Sequence, residues 1–314
     1  MKEIRVEEKL WSIILAGGEG ERLRPMVQRW LGRHKPKQYC TFIGTRSMFK
    51  HTLDRADQIT TPERKVTVIA KAHYGNALPQ LAGRQTGKLI LQPRNLDTAA
   101  GVFLALAHVR AHDPNATVII FPSDHFIHPE EQFVQVVRST VRAAEQLKHW
   151  IFLLGVAPES AETEYGWIIP GARLGWIDGH CVRAAKSFLE KPRFEQCREA
   201  MAGGALWNTL ILAAKVETLW ALGRRCLPDM MPLFETYQET IGSPEEEAML
   251  QTIYEFLPAR NFSKDLLESV SAHVAMIELI NVLWCDWGKP DRIVSTLSRI
   301  GKHPSFALAR AAGQ

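Results

Sequence analysis

Residues 15–25, LAGGEGERLRP, place three glycines within four positions directly after an apolar run. Six basic residues then follow from Arg22 to Lys37. Glycines lack a Cβ, so backbone N–H groups beside them can close on an anion. Gly17, Gly18 and Gly20 therefore suit a phosphate. Arg22 adds a planar fork matched to phosphate oxygens, and Lys37 adds a mobile point charge. Two familiar phosphate loops are excluded. The Gly-Lys-Ser/Thr of a P-loop is absent, and Leu23 stands where a dinucleotide fingerprint needs its third glycine. That second absence sets aside an NAD-dependent oxidoreductase. A tight turn with a solvated basic face is the plainer reading. Arg22 and the later Pro36-Lys37 pair favour a polyphosphate ligand instead.

A second group with chemical potential lies at FPSDHFI, residues 121–127. Asp124 falls just beyond an apolar run, where a strand ends. A carboxylate there supplies the hard oxygen ligands of a divalent cation, and Mg²⁺ is usually held by one or two carboxylates together with phosphates. A turn or cap residue is the alternative. His125 and His128 are neighbours, but no cysteine or third histidine is close in sequence, so they are read as structural.

GGxGxRLxP followed by Pro-Lys resembles the sugar-1-phosphate nucleotidyltransferases, and Pro36-Lys37-Gln38 resembles their mannose-1-phosphate guanylyltransferase branch. The resemblance implies that Ala16, Gly17, Gly18 and Gly20 hold a nucleoside triphosphate by their backbone. It implies that Arg22 stabilises the departing pyrophosphate and that Lys37 meets the reacting phosphates. FPSDH is similar to a Pro-x-Asp-His segment whose Asp binds metal. WCDWG (284–288) is similar to a Trp-x-Asp-x-Gly segment, making Asp286 the second carboxylate for Mg²⁺. FLEKP (188–192) implies that Lys191 neutralises the sugar phosphate and that Glu190 accepts from sugar hydroxyls. EYGWI (164–168) implies that Gly166 lets backbone approach the sugar. In WNTLIL (207–212), Asn208 is kept for sugar hydroxyls, while Thr209 and Leu210 replace Ser-Gly and reshape that pocket. LQPRNLDTAAG (91–101) resembles the segment that reads the base, through Gln92, Asn95 and Thr98. Leu96 stands where an arginine is more usual.

The reaction implied is GTP plus mannose-1-phosphate giving GDP-mannose and pyrophosphate. Two alternatives stay open. One is another pairing, of UTP, dTTP or CTP with glucose-1-phosphate. The other is an inactive regulatory homologue that binds nucleotide sugars, motivated by Leu96, Thr209 and Leu210. The likeness runs from about Trp11 to Ile300. It implies an α/β fold with a Rossmann-like mixed, mostly parallel sheet flanked by helices.

The elements that must position these groups follow from hydrophobic pattern. WSIILA (11–16), KVTVIA (65–70), KLILQ (88–92), TVIIF (117–121) and IFLLGV (151–156) are short, β-branched and bounded by turn residues, as buried strands are. Helices are expected at 47–59 with Ser47 as cap, at 98–112 with Thr98 as cap, and at 129–149 with acids in the first turn. Such alternation argues for a parallel sheet covered on both faces. Residues 165–192 read as a hairpin-rich insertion and 215–270 as mostly helical, with Glu245–Glu247 on a solvated face. HVAMIEL and NVLWCDWG return to strand character, and Pro290 opens a final helix to about Ile300. The tail to Gln314 is expected to be loosely held.

With 314 residues, the chain is long enough for one large α/β domain. Residues 1–314 are expected to form a single nucleotidyltransferase domain. Its nucleotide-binding half spans about 11–160 and its sugar-phosphate half about 161–300. The longer bacterial guanylyltransferases carry a β-helix and an isomerase domain after this region. Neither is expected here. A net charge of +4, from 38 basic and 34 acidic residues, gives no general affinity for nucleic acid. The five scattered cysteines include no CxxC pair, which argues against a disulfide framework or a zinc site and suits a reducing cytoplasm. The first ten residues alternate charge and do not read as a signal peptide. No apolar run is long enough to span a membrane. A homo-oligomer is compatible with the sequence.

Overall fold

The computed structural model describes residues 9–306. The start of the chain, read above as no signal peptide, and the tail beyond residue 306 lie outside the described residues. Eleven strands are present among those described. They are β1 Leu10–Ala16, β2 Lys65–Ala70, β3 Lys88–Gln92, β4 Thr117–Pro122, β5 Phe126–His128, β6 Ile151–Val156, β7 Gly166–Ile177, β8 His180–Glu190, β9 Leu206–Lys215, β10 Val274–Glu278 and β11 Leu283–Cys285. Nine form one sheet in the order β3-β2-β1-β4-β9-β6-β10-β8-β7, and β7 also pairs with β9. That extra pairing closes β9, β6, β10, β8 and β7 into a ring. β8 and β9 run against the other seven strands, so the sheet is mixed and mostly parallel. The five strands read from apolar runs recur as β1, β2, β3, β4 and β6. The mixed, mostly parallel sheet implied by the resemblance is present, with β9 inserted antiparallel between β4 and β6.

Alternate residues of each central strand feed different cores, as a period of two requires. Ile13, Val118, Ile120 and Leu153 join one buried cluster. Ile14, Ile119, Phe121, Phe152 and Leu154 join the other. The helices are α1 Arg24–Leu31, α2 Met48–Asp57, α3 Tyr74–Leu81, α4 Asp97–His112, α5 Glu130–Gln146, α6 Phe194–Ala202, α7 Val216–Cys226, α8 Met231–Thr240, α9 Glu246–Phe256 and α10 Pro290–Ser298. In α4 every residue from Ala99 to Val109 is buried. A helix apolar on all sides is one enclosed on all sides. Here α7, α8 and α9 cover the face turned away from the sheet, supplying Trp220, Phe234 and Ile253 to the same cluster. α2 and α5 cover the opposite face through Phe49, Leu53, Phe133 and Val137.

Two caps separate expectation from structure. Ser47 caps α2 as its type suggests, its hydroxyl accepting from the Lys50 amide at 3.1 Å. Thr98 is not a cap. α4 begins one residue earlier, and the Thr98 hydroxyl accepts from the Phe262 amide at 2.8 Å. The hydroxyl therefore ties the start of α4 to the 260–262 segment.

Candidate active site

The glycine turn leaves the carboxyl end of β1, where open α/β sheets bind ligands. Gln38 and Tyr39 fix its shape from below. The Gln38 amide donates to the carbonyls of Ala16 at 3.1 Å and Gly18 at 2.7 Å, and the Tyr39 hydroxyl donates to Ala16 at 3.0 Å. With those carbonyls held inward, the amides of the turn are left to face a ligand. Gly20 sits at φ +66°, and a Cβ there would lie 3.0 Å from the Lys37 backbone nitrogen. Both facts require glycine.

A cavity of about 670 Å³ opens beside this turn, within the range of small-molecule sites. Gly17, Gly18, Arg22, Gln92, Asn95, Thr98, Asp124, Gly166, Glu190, Lys191, Asn208 and Asp286 all line it. These residues are scattered over the sequence, yet the fold brings them to one cavity. Ala16, Gly20 and Lys37 do not line the cavity. Ala16 and Gly20 shape the turn, and Lys37 is buried behind the wall.

Lys37 joins the two aspartates. Its ammonium lies 2.9 Å from Asp124 Oδ2 and donates to the Asp286 backbone carbonyl at 2.5 Å. Asp286 is buried at the end of β11 and is densely held. Oδ1 accepts from the Tyr165 hydroxyl at 2.7 Å, Arg292 at 2.9 Å and the Gly288 amide at 2.9 Å. Oδ2 accepts from Arg22 at 2.8 Å. Burial alone would raise the Asp286 carboxyl. The Lys37 charge, the Tyr165 hydrogen bond and the two arginines outweigh it and hold the group well below the usual carboxylate range. Asp124 is likewise opposed by burial and held low by Lys37. Both residues are therefore ionised near neutral pH.

His125 is not a third ligand of this pair. Burial pushes its imidazole down to about 4. Its Nδ1 accepts from the Trp284 indole at 3.3 Å, which leaves the proton on Nε2, 3.6 Å from Asp124 Oδ1. No cluster of three or more His, Cys, Asp or Glu among the described residues is arranged to hold a metal. The donor set is two carboxylates beside a phosphate-shaped turn, and that matches the way Mg²⁺ is bound with substrate phosphates rather than in a protein cage.

The opposite wall carries Glu190, Lys191, Asn208 and Gly166. Burial raises the Glu190 carboxyl, with Lys191, 3.4 Å away, pulling the other way. A Cβ on Gly166 would lie 2.8 Å from Glu190 Oε2 and 2.9 Å from the Phe188 ring, so the glycine keeps that carboxylate in place. Asn208 Oδ1 accepts from the Leu210 amide at 3.0 Å. Its amide NH₂ is therefore the group turned to the cavity. Leu210 itself sits at φ +56°, a left-handed conformation that is costly for a branched side chain.

The base-reading segment is tied down in turn. Gln92 donates to the Arg94 carbonyl at 2.9 Å, and its Oε1 packs closely on Gly17 and Gly101, 3.2 and 3.3 Å from where their Cβ atoms would stand. Asn95 accepts from the Asp97 amide at 3.0 Å. Leu96 turns away from the cavity into the apolar core beside α4.

Sequence reasoning missed Arg292. This side chain, on the first turn of α10, bonds Asp286, Tyr165, Glu162 and Glu164, and its guanidinium lies 4.8 Å from the Tyr165 ring centre. Nothing in the helical pattern marks it as facing inward.

A family model described as Nucleotidyl transferase matches residues 11–302. The chain belongs to the nucleotidyl transferase family. Among curated relatives of this nucleotidyl transferase, the mannose-1-phosphate guanylyltransferase of Salmonella montevideo is 30% identical over 202 residues, 63% of this chain and 41% of that protein. The mannose-1-phosphate guanylyltransferase of Escherichia coli (strain K12) is 28% identical over 255 residues, 78% of this chain and 52% of that protein. The chain thus spans about half the length of these relatives. A crystal structure described as mannose-1-phosphate geranyltransferase from Thermus thermophilus superposes with a TM-score of 0.76 at 27% identity, covering 93% of this chain and 79% of that one. A structure described as a putative glucose-1-phosphate thymidylyltransferase from Bacillus anthracis, 17% identical with a TM-score of 0.56, shares the fold.

Proposed function

We propose that this nucleotidyl transferase joins GTP and mannose-1-phosphate to give GDP-mannose and pyrophosphate. The observation that carries the reading is the bridge made by Lys37 between Asp124 and the Asp286 carbonyl, beside a cavity lined by the glycine turn on one side and by Glu190, Lys191 and Asn208 on the other. The choice of base and sugar is supported by the relatives at 30% and 28% identity, which are mannose-1-phosphate guanylyltransferases.

In this account a phosphate oxygen of mannose-1-phosphate attacks the α-phosphorus of GTP. The bond from that phosphorus to the β-bridging oxygen breaks, and pyrophosphate departs with the electron pair. No protein nucleophile is required. The amides of Gly17 and Gly18 cradle the triphosphate, and Arg22 neutralises the leaving group. Gln92, Asn95 and Thr98 face the base. Lys191 meets the sugar phosphate, while Glu190 and the Asn208 NH₂ orient the hydroxyls. The chain's contribution is in-line positioning and charge neutralisation. Asp124 and Asp286 would hold Mg²⁺, which supplies charge neutralisation at the phosphate oxygens.

The nucleotide half is assigned to about 11–160 and the sugar-phosphate half to about 161–300. The five free cysteines suit a reducing cytoplasm. Among the described residues, no helix is long and apolar enough to cross a membrane. Incubation with Mg²⁺, each of GTP, UTP, dTTP and CTP, and each of mannose- and glucose-1-phosphate, with pyrophosphate as readout, tests the proposal. Release with GTP and mannose-1-phosphate above every other pair is expected. Release confined to another pair would remove the guanylyl assignment.

A further inference from the structure

The two oxygens of Asp286 are held in different ways. Oδ1 has three donors, from Tyr165, Arg292 and Gly288, and its lone pairs are taken. Oδ2 has Arg22. The Arg22 side chain is 46% exposed, against 9% for Asp286, so the outer partner is free to move while the inner ones are enclosed. Any cation that binds Asp286 from the cavity must therefore take Oδ2, the atom that Arg22 covers.

The position is fitted to that guanidinium. A Cβ on Gly288 would stand 2.6 Å from Arg22 Cζ and 2.5 Å from Asp286 Oδ2. Only glycine leaves room for the pair. Release of Arg22 strands no buried charge. Its other partner, Glu164, at 2.8 Å, keeps Arg292 at 2.9 Å and Lys289 at 3.1 Å. Asp286 keeps Arg292 and the Lys37 contact at its carbonyl. Of the two arginines on the Asp286 carboxylate, Arg22 is the exposed one and can be withdrawn at little cost, and it stands on the turn that follows the phosphate-binding glycines.

We propose that Arg22 occupies the place of the divalent cation on Asp286 Oδ2 until a triphosphate draws it away. The proposal rests on the nucleotidyl-transfer reading of the site and adds an order of events to it. With Arg22 on Oδ2, a divalent cation meets a guanidinium at its own ligand, and like charges at that range repel strongly. A triphosphate offers Arg22 a more highly charged partner, and its departure uncovers Oδ2. Cation and nucleotide therefore bind weakly apart and tightly together, and the coupling is reciprocal. Idle cation loading on the empty site is suppressed.

The test is Mn²⁺ titration followed by the electron paramagnetic resonance signal of the free aqueous ion. It uses wild type, Arg22→Gln, and Arg22→Gln combined with Asp286→Asn. Each is measured alone and with guanosine 5′-(α,β-methylene)triphosphate, whose α–β link cannot be cleaved. Without nucleotide, Arg22→Gln is expected to bind Mn²⁺ at least about tenfold tighter than wild type. The added Asp286→Asn should cancel that gain, which a general change in folding would not do. Mn²⁺ binding by Arg22→Gln that is equal to or weaker than wild type overturns the exchange. If wild type takes up no Mn²⁺ beyond the free analogue's own share, the metal-dependent reading fails with it. If wild type does take up Mn²⁺ with the analogue and Arg22→Gln gains nothing without nucleotide, only the exchange fails.

Discussion

The ammonium of Lys37 lies 2.5 Å from the backbone carbonyl of Asp286, a residue 249 positions later in the chain. The same ammonium is 2.9 Å from Asp124. One buried cation thus ties the Asp124 carboxylate to the backbone that carries Asp286. Lys37→Met should lower turnover by at least about 10²-fold, the usual cost of removing a preorganised electrostatic group. It should also lower the melting temperature, because Asp124 and the Asp286 carbonyl lose a common partner. Steady-state pyrophosphate release and a thermal melt check both. Lys37→Met turnover within threefold of wild type would contradict the role.

Arg292 touches Asp286 rather than the cavity, so its effect should pass through the carboxylate. Arg292→Gln is expected to cost about 10–100-fold in kcat, as partners of ligating residues do when lost. Arg292→Lys should not restore it, since one ammonium cannot replace a fork that spans Asp286, Tyr165, Glu162 and Glu164. A fully active Arg292→Lys would show that charge alone suffices.

Leu210 holds φ +56° in the wall beside Asn208. That conformation costs an L-residue about 1–2 kcal/mol, and more when the side chain is β-branched. Leu210→Gly loses a half-buried side chain but relieves the backbone, so it should melt within a few degrees of wild type. Leu210→Val keeps the strain and loses volume, so it should melt below Leu210→Gly. The reverse order would falsify the strain argument. Leu210→Gly should also relax the preference among sugar-1-phosphates, read as relative kcat/KM.

His108 lies in the enclosed helix α4, with its ring 4.2 Å from that of His112. Burial, with His112 and Lys88 adding to it, pushes its imidazole down to about 4. Below pH 6.5 the unfolded chain takes up a proton that the folded chain refuses. The stability this group contributes is complete above 6.5 and is lost as pH falls toward 4, by on the order of 3 kcal/mol. His108→Gln should flatten the fall in melting temperature between pH 6.5 and 4.5. An unchanged slope would assign that fall to other groups.

The central strands were legible because burial on both faces leaves continuous β-branched runs such as KVTVIA and TVIIF. The cavity residues were legible for a different reason: Arg22, Asp124, Lys191 and Asp286 stand in short strings whose residue types are jointly restrictive. Other features depend on contacts between distant segments. Arg292 faces inward because Glu162, Glu164 and Tyr165 arrive opposite it, and its own helix has no mark of that. The closure of β7 on β9 rests on pairing between Trp167 and Trp207, which no local period encodes. Leu96 reads in sequence as a change in the base-reading surface, yet it packs in the core, next to Asp97 at φ +63°.

The most direct test of the nucleotidyl-transfer account is a ³¹P NMR time course of GTP and mannose-1-phosphate with Mg²⁺, for wild type and for Asp124→Asn. GDP-mannose diphosphate resonances and pyrophosphate are expected to grow in equal amounts with wild type, and neither with Asp124→Asn. Growth of inorganic phosphate and GDP instead, or equal product from both proteins, would contradict it.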